Sequence, residues 1–259
     1  MSDEPLVLCD PRDGIVNLTL NRPRQQNALS GAMLDALQAA LEAAGRDPGA
    51  RAVVIGGAGP NFCAGHDLKE MRARPDRAYY RRLFAQCSRM MRTLVEIPQP
   101  VIAKVRGIAT AAGCQLVAMC DLAIATKAAR FATSGIGVGL FCSTPAVALS
   151  RNVSRKRAFE MLVTGEFIDA PTALDFGLVN RVVPDAGLDA AAADLAQRIA
   201  GKPASAIASG KRMFYAQLGM PFDEAAAYAA EVMAADMMTG DAGEGIDAFL
   251  EKREPVWER

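Results

Sequence analysis

Two stretches, NFCAGHDLKEM at 61–71 and GIATAAGCQL at 107–116, decide how this chain is read. Each follows an apolar, β-branched run (AVVI at 52–55, VIAKV at 101–105) and leads into a helical pattern. Where a strand gives way to a helix, backbone N–H groups are left without partners. Two such groups, one from each turn, can hold a single oxyanion. Donors fixed in advance need no reorganisation when charge appears on an oxygen, which suits the enolate of a thioester.

Composition narrows the classes. With 259 residues, 51% of them hydrophobic, the chain can bury a sizeable core. Lys plus Arg and Asp plus Glu are both 29, so no overall field favours nucleic acid or an anionic membrane, although a local basic patch is compatible with that balance. The expectation is no nucleic acid and no membrane partner. MSDEPLVLCD at the start is unlike a secretory signal, and a cytoplasmic protein is the simplest reading. Six scattered cysteines form no CxxC pair and point to no metal site. His66 is the one histidine, which excludes any single-chain mechanism that needs two.

Along the chain, strands are expected at 6–9 and 15–20 around a turn at 10–14. A helix capped by Ser30 should run to Ala44, followed by a buried strand at 52–55. A long helix at 76–96 ends at Ile97-Pro98-Gln99-Pro100, and strand 101–105, helix 113–120 and strand 121–125 follow. This alternation implies right-handed crossovers and a largely parallel α/β architecture. Beyond about Gly201 only helices are expected, at 206–218, 222–239 and 244–252, with Gly240-Asp241-Ala242-Gly243 separating the last two. Residues 1–200 are read as the core and 201–259 as a helical region that covers it or packs on a neighbouring subunit.

Several motifs in order carry a resemblance: Leu20-Asn21-Arg22-Pro23 with Asn27-Ala28-Leu29, Ala64-Gly65-His66-Asp67-Leu68, Pro100-Val101-Ile102-Ala103, Gly107, Cys120-Asp121, Phe131, 162–166 and 173–179. The chain resembles the crotonase superfamily of enoyl-CoA hydratases and isomerases over nearly its whole length. Around Cys142-Ser143-Thr144-Pro145 it is similar to the enoyl-CoA hydratase domain-containing protein 3 branch, in which hydratase chemistry is not to be presumed. The resemblance implies a spiral of repeated strand-strand-helix units with a C-terminal helical region, a homotrimer or dimer of trimers, and an acyl-CoA ligand with no cofactor beyond the coenzyme A of the substrate.

Carried over residue by residue, the oxyanion donors are the backbone N–H groups of His66 and Ala112. The family's two catalytic glutamates fall on Gln115 and Gly135. A carboxamide does not titrate near neutrality and glycine has no side chain, so neither serves as acid or base. Gln115 is left as a possible positioning group, and hydration is expected to be weak or absent. The alternative is a catalytically silent acyl-CoA-binding or regulatory protein. Ala64, His66, Asp67, Leu68 and Ala112 are assigned to the ligand site, with Arg24, Lys69 and Lys211 as cations for the phosphates of coenzyme A. Asp67 also suits a helix cap, as do Ser143 and Thr144 before Pro145.

A dinucleotide-binding loop at Gly57-Ala58-Gly59 is disfavoured because Pro60 stands where the helix should begin. No nucleophile elbow supports a serine hydrolase.

Overall fold

A computed structural model describes residues 4–257; positions 1–3 and 258–259, at the outer ends of the two regions drawn from sequence, lie outside it. The chain opens with a hairpin, β1 (Val7–Arg12) and β2 (Ile15–Leu20). Arg12 pairs with Ile15, so the turn is only Asp13 and Gly14, both at positive φ. That left-handed pair suits a two-residue hairpin, and β1 therefore runs further than the expected 6–9. Helix α1 (Gly31–Arg46) is capped by Ser30, whose hydroxyl accepts from Met33 N–H, and it buries Met33, Leu34, Leu37 and Leu41. Strand β3 (Ala52–Gly57) is followed by α2 (Leu68–Ala73), α3 (Arg77–Glu96), β4 (Val101–Val105), β5 (Ile108–Thr110) and α4 (Ala112–Met119).

Then come β6 (Leu122–Thr126), β7 (Arg130–Ala132), α5 (Ser143–Asn152), α6 (Arg155–Thr164), β8 (Ile168–Asp169), α7 (Ala170–Asp175), β9 (Arg181–Val183) and α8 (Leu188–Ala200). The remainder is α9 (Ala204–Gln217), α10 (Phe222–Asp236) and α11 (Gly240–Glu251). The glycines at 240 and 243 do not separate helices: Thr239 caps α11 by accepting from Ala242 N–H, so both glycines lie within its first turn.

Six strands form one sheet in the order β1-β2-β3-β4-β6-β9, parallel except for the opening hairpin. A smaller sheet, β5-β7-β8, stands beside it. From β4 onward the pairs β4/β5, β6/β7 and β8/β9 each contribute one strand to each sheet, in the mixed α/β spiral expected. The main core lies against α1, α3 and α4, and α8 covers the other face of the large sheet over Ile15, Val54, Ile102 and Ile124. Both faces of the parallel strands are buried, which is why β3 and β4 read as continuous apolar runs rather than alternating ones.

Candidate functional site

The two turns meet because short strand-like pairings hold them. In the first, Leu29 N–H donates to Gly65 O (2.8 Å) and Asp67 N–H donates to Leu29 O (3.2 Å). On its other side Cys63 N–H donates to Ile108 O (3.1 Å) and Thr110 N–H to Cys63 O (3.0 Å), so 63–67 is laced between 29 and β5. Parallel pairing uses alternate residues, which leaves the His66 N–H without an acceptor among the described residues.

In the second turn Ala111 has φ 51° and ψ −120°, a conformation that favours glycine. Its own N–H donates to Ala132 O, and the following amide, that of Ala112, opens α4 with no acceptor among the described residues. A Cβ on Gly65 would stand 2.9 Å from Ala111 Cβ and 3.0 Å from the Ala112 nitrogen, and one on Gly113 would stand 2.1 Å from Cys63 O. Bare glycines therefore permit the turns to touch.

Buried amide side chains fasten this arrangement. Asn27, fully buried, donates to Ala58 O and Asn61 O while its Oδ1 accepts from Arg22 N–H. Asn61 Oδ1 accepts from Ile108 N–H at 2.8 Å. Sequence reading took Asn27 only as part of a motif. The signal available in the sequence was only an Asn, a residue that tolerates left-handed backbone and bonds to nearby main chain, after a polar turn; the structure gives it φ 53°.

Both unpaired amides belong to residues lining one cavity of about 210 Å³, with Ala64, Leu68 and Phe84 on one side and Ser134, Gly135, Leu140, Cys142, Ser143 and Thr144 on the other. Among the described residues no Asp or Glu lines it. The Thr110 hydroxyl donates to Ala132 O, so its 2.7 Å contact with Ser134 is a bond donated by the serine. Ser134 is thereby held with its oxygen available as an acceptor. Such a mostly apolar cleft with a few fixed donors can orient a small ligand's carbonyl.

His66 Nδ1 lies 3.4 Å from Leu29 O and its ring meets Phe84 edge-on at 5.4 Å, while Nε2 is buried and unpartnered. Burial lowers the imidazole pKa below the usual histidine value, against upward pulls from the Leu29 carbonyl and Glu70. Burial pushes the thiols of Cys63 and Cys114 up to about 12 and raises that of Cys142, which leaves these three free cysteines poor nucleophiles.

The other residues singled out from sequence divide. Asp67 caps α2, accepting from Lys69 N–H and Glu70 N–H, and pairs with Arg22 at 3.2 Å. Burial alone would raise its pKa, but the Glu70 amide and Arg22 draw it down. Arg24 and Lys69 are exposed, off the cavity lining. Three expectations are corrected. Gln115 is buried and does not line the cavity, and its Oε1 meets no donor among the described residues, because its position on α4 faces the core rather than the cleft. Lys211 is not a free cation: Nζ donates to Leu94 O (2.7 Å), Gln99 O (2.8 Å) and Asp121 Oδ2 (2.7 Å), which uses all three of its protons inside the protein. Ser143 and Thr144 do not cap α5; the N-cap is Cys142 without a side-chain bond, and the Ser143 hydroxyl turns back to Phe141 O.

The fold and this cleft define a crotonase-type protein, and comparison with known proteins gives the family. The sequence model of the Enoyl-CoA hydratase/isomerase family matches residues 10–259. This chain belongs to that family. It is 45% identical over 256 residues to the rat enoyl-CoA hydratase domain-containing protein 3, mitochondrial, an alignment covering 99% of this chain and 85% of that protein. Among solved structures it superposes on a Mycobacterium smegmatis enoyl-CoA hydratase with TM-score 0.97 at 58% identity, covering 98% of this chain and 99% of the other. The human enoyl-CoA hydratase domain-containing protein 3 gives TM-score 0.95 at 44% identity, covering 98% and 100%.

Proposed function

We propose that this protein binds acyl-CoA thioesters in the cavity between the two turns, with the thioester carbonyl accepting from the His66 and Ala112 N–H groups, and that ordinary enoyl-CoA hydration is weak or absent. The observation that carries this reading is the pair of amides that, among the described residues, have no acceptor and face one cavity with no carboxylate in its lining. The amides stabilise an enolate or a polarised enoyl thioester wherever one forms. Hydration additionally needs a group to take a proton from water and another to deliver one to carbon, each typically worth about 10²- to 10⁴-fold. Gln115 and Gly135 stand where the family resemblance puts the two glutamates, and neither can do this work.

The surroundings of Gly135 support the reading that no acid works from this position. A Cβ there would lie 2.5 Å from Leu140 O and 2.7 Å from Cys142 Sγ, and Gly135 O accepts from Leu140 N–H at 2.9 Å. Leu140 O and Cys142 Sγ occupy the space a longer side chain would need. Simple restoration of glutamate at 135 is therefore obstructed.

Arg24 and Lys69 remain available as exposed cations for the coenzyme's phosphates. Assembly as a homotrimer or a dimer of trimers is part of the reading: α10 buries no residue within its own chain, and Phe222, Met238 and Phe249 are 84%, 86% and 82% exposed. Residence in the cytoplasm also belongs to it. The catalytically silent form of the reading, a binding or regulatory protein of lipid metabolism, shares the thioester site and differs only in turnover.

Crotonyl-CoA absorbance followed at high protein concentration tests the reaction. The expected result is saturable ligand binding with turnover at least about 10³-fold below a hydratase that retains both acids. A turnover number comparable to such a hydratase overturns it.

A further inference from the structure

Five arginines, Arg77, Arg81, Arg82, Arg89 and Arg92, lie along α3. At 100° per residue and 1.5 Å rise they fall within an arc of about 140° and extend over about 23 Å of helix. The opposite side, Leu83, Cys87, Met90 and Leu94, is buried in the core, so the arginine face is held outward. Between the arginines stand only Ala78, Ala85 and Ser88. Arg92 pairs with Glu96 at 3.0 Å. The guanidinium groups of the other four have no ion pair or hydrogen bond among the described residues. The neighbouring carboxylate, Asp35, accepts from Gln86 Nε2 at 2.6 Å.

The zero net charge of the chain thus conceals a separation. Between residues 222 and 256 there are nine carboxylates against two basic residues, Lys252 and Arg253, so the acidic excess sits in the C-terminal helices and the basic excess on α3. A straight row of unpaired guanidiniums on a convex helix face is complementary to a plane of phosphates and carboxylates. No aromatic side chain interrupts the row to stack on a base, and the hollow that Arg81, Arg82 and Arg89 line beside it holds the Asp35 carboxylate, which a phosphate strand entering it would meet.

We propose that the arginine face of α3 docks this protein on an anionic phospholipid bilayer. The contact is peripheral: no helix among the described residues is long and apolar enough to cross a membrane. It does not depend on what fills the cavity, and none of the five arginines lines that cavity.

Cosedimentation of the full chain with phosphatidylcholine vesicles, with and without phosphatidylserine, tests the proposal. The expected result is binding only to the phosphatidylserine vesicles, suppressed by high salt through screening of exposed charges. Each basic residue at such a surface contributes about fivefold, so Arg81→Gln/Arg82→Gln and, separately, Arg77→Gln/Arg89→Gln should each weaken binding about 25-fold. The matching Arg→Lys variants, which keep the charge, should bind like the unaltered protein and so separate loss of charge from loss of fold. Absence of phosphatidylserine-dependent binding, glutamine variants that bind as well as the unaltered protein, or tighter binding to a single- or double-stranded oligonucleotide than to the vesicles would each overturn it.

Discussion

Ala111 carries a side chain in a backbone conformation, φ 51° and ψ −120°, that glycine adopts without cost. Residues held in such regions store about 1–3 kcal/mol, while glycine loses about 0.4–1 kcal/mol more than alanine through the unfolded chain. Relief of strain is the larger effect. Ala111→Gly should therefore raise stability by about 1 kcal/mol in urea denaturation; a loss of stability would mean that Ala111 Cβ contributes more by packing on Gly65 than its backbone costs. The strain is informative because it turns the next amide, that of Ala112, away from the ladder. The sequence shows a run of small residues at 111–113 but does not say which member has positive φ; the structure places it on Ala111. The meeting of the two turns was legible, because Gly65 and Gly113 are the residues without which they collide. The burial of Gln115 was not, since an amide beside a turn looks the same whether it faces a cleft or the core.

Asp67 shows how an element depends on one side chain. Its carboxylate caps α2 through two amides and holds Arg22, with 16% of the side chain exposed. Asp67→Ala should cost about 0.5–2 kcal/mol, the usual range for a lost cap. The carboxyl pKa is lowered in the folded state, so its contribution is fully present above the ordinary aspartate pKa of about 3.9 and fades as pH falls through the lowered value. Chemical denaturation below pH about 4 should accordingly show acid sensitivity that Asp67→Asn reduces; identical acid sensitivity in the two proteins would contradict the assignment. At this scale the long helices and buried strands were readable from Ser30, from Asp76 and from the apolar runs of β3 and β4. The short strands β5, β7, β8 and β9 were not, because two or three residues carry no period and are strands only by virtue of their neighbours. The 240–243 glycines misled for a related reason: a good cap at Thr239 outweighs poor helix formers behind it.

Across the molecule, one buried ionic cluster joins the C-terminal helices to the sheet. Lys211 and Tyr215 on α9 both reach Asp121, which also accepts from Val101 N–H at the start of β4. Burial lowers the lysine pKa against the pull of Asp121, and burial beside that carboxylate raises the tyrosine pKa. With Lys211 and Asp121 side chains only 6% and 13% exposed, Lys211→Met should cost about 3–5 kcal/mol, because the carboxylate is left buried without its partner. Lys211→Met with Asp121→Asn should cost clearly less than the sum of the two single changes. Additive costs would deny the coupling. Lys211 read as a ligand cation from sequence because a lysine in a helix announces its charge but not its burial. The account as a whole rests on the convergence of two amides upon one carbonyl. It is tested most directly by a crystal structure of the protein with acetoacetyl-CoA: the thioester oxygen should lie about 2.7–3.1 Å from both the His66 and Ala112 nitrogens. A thioester bound with its carbonyl away from either nitrogen, or met by an Asp or Glu side chain at its α or β carbon, would contradict it.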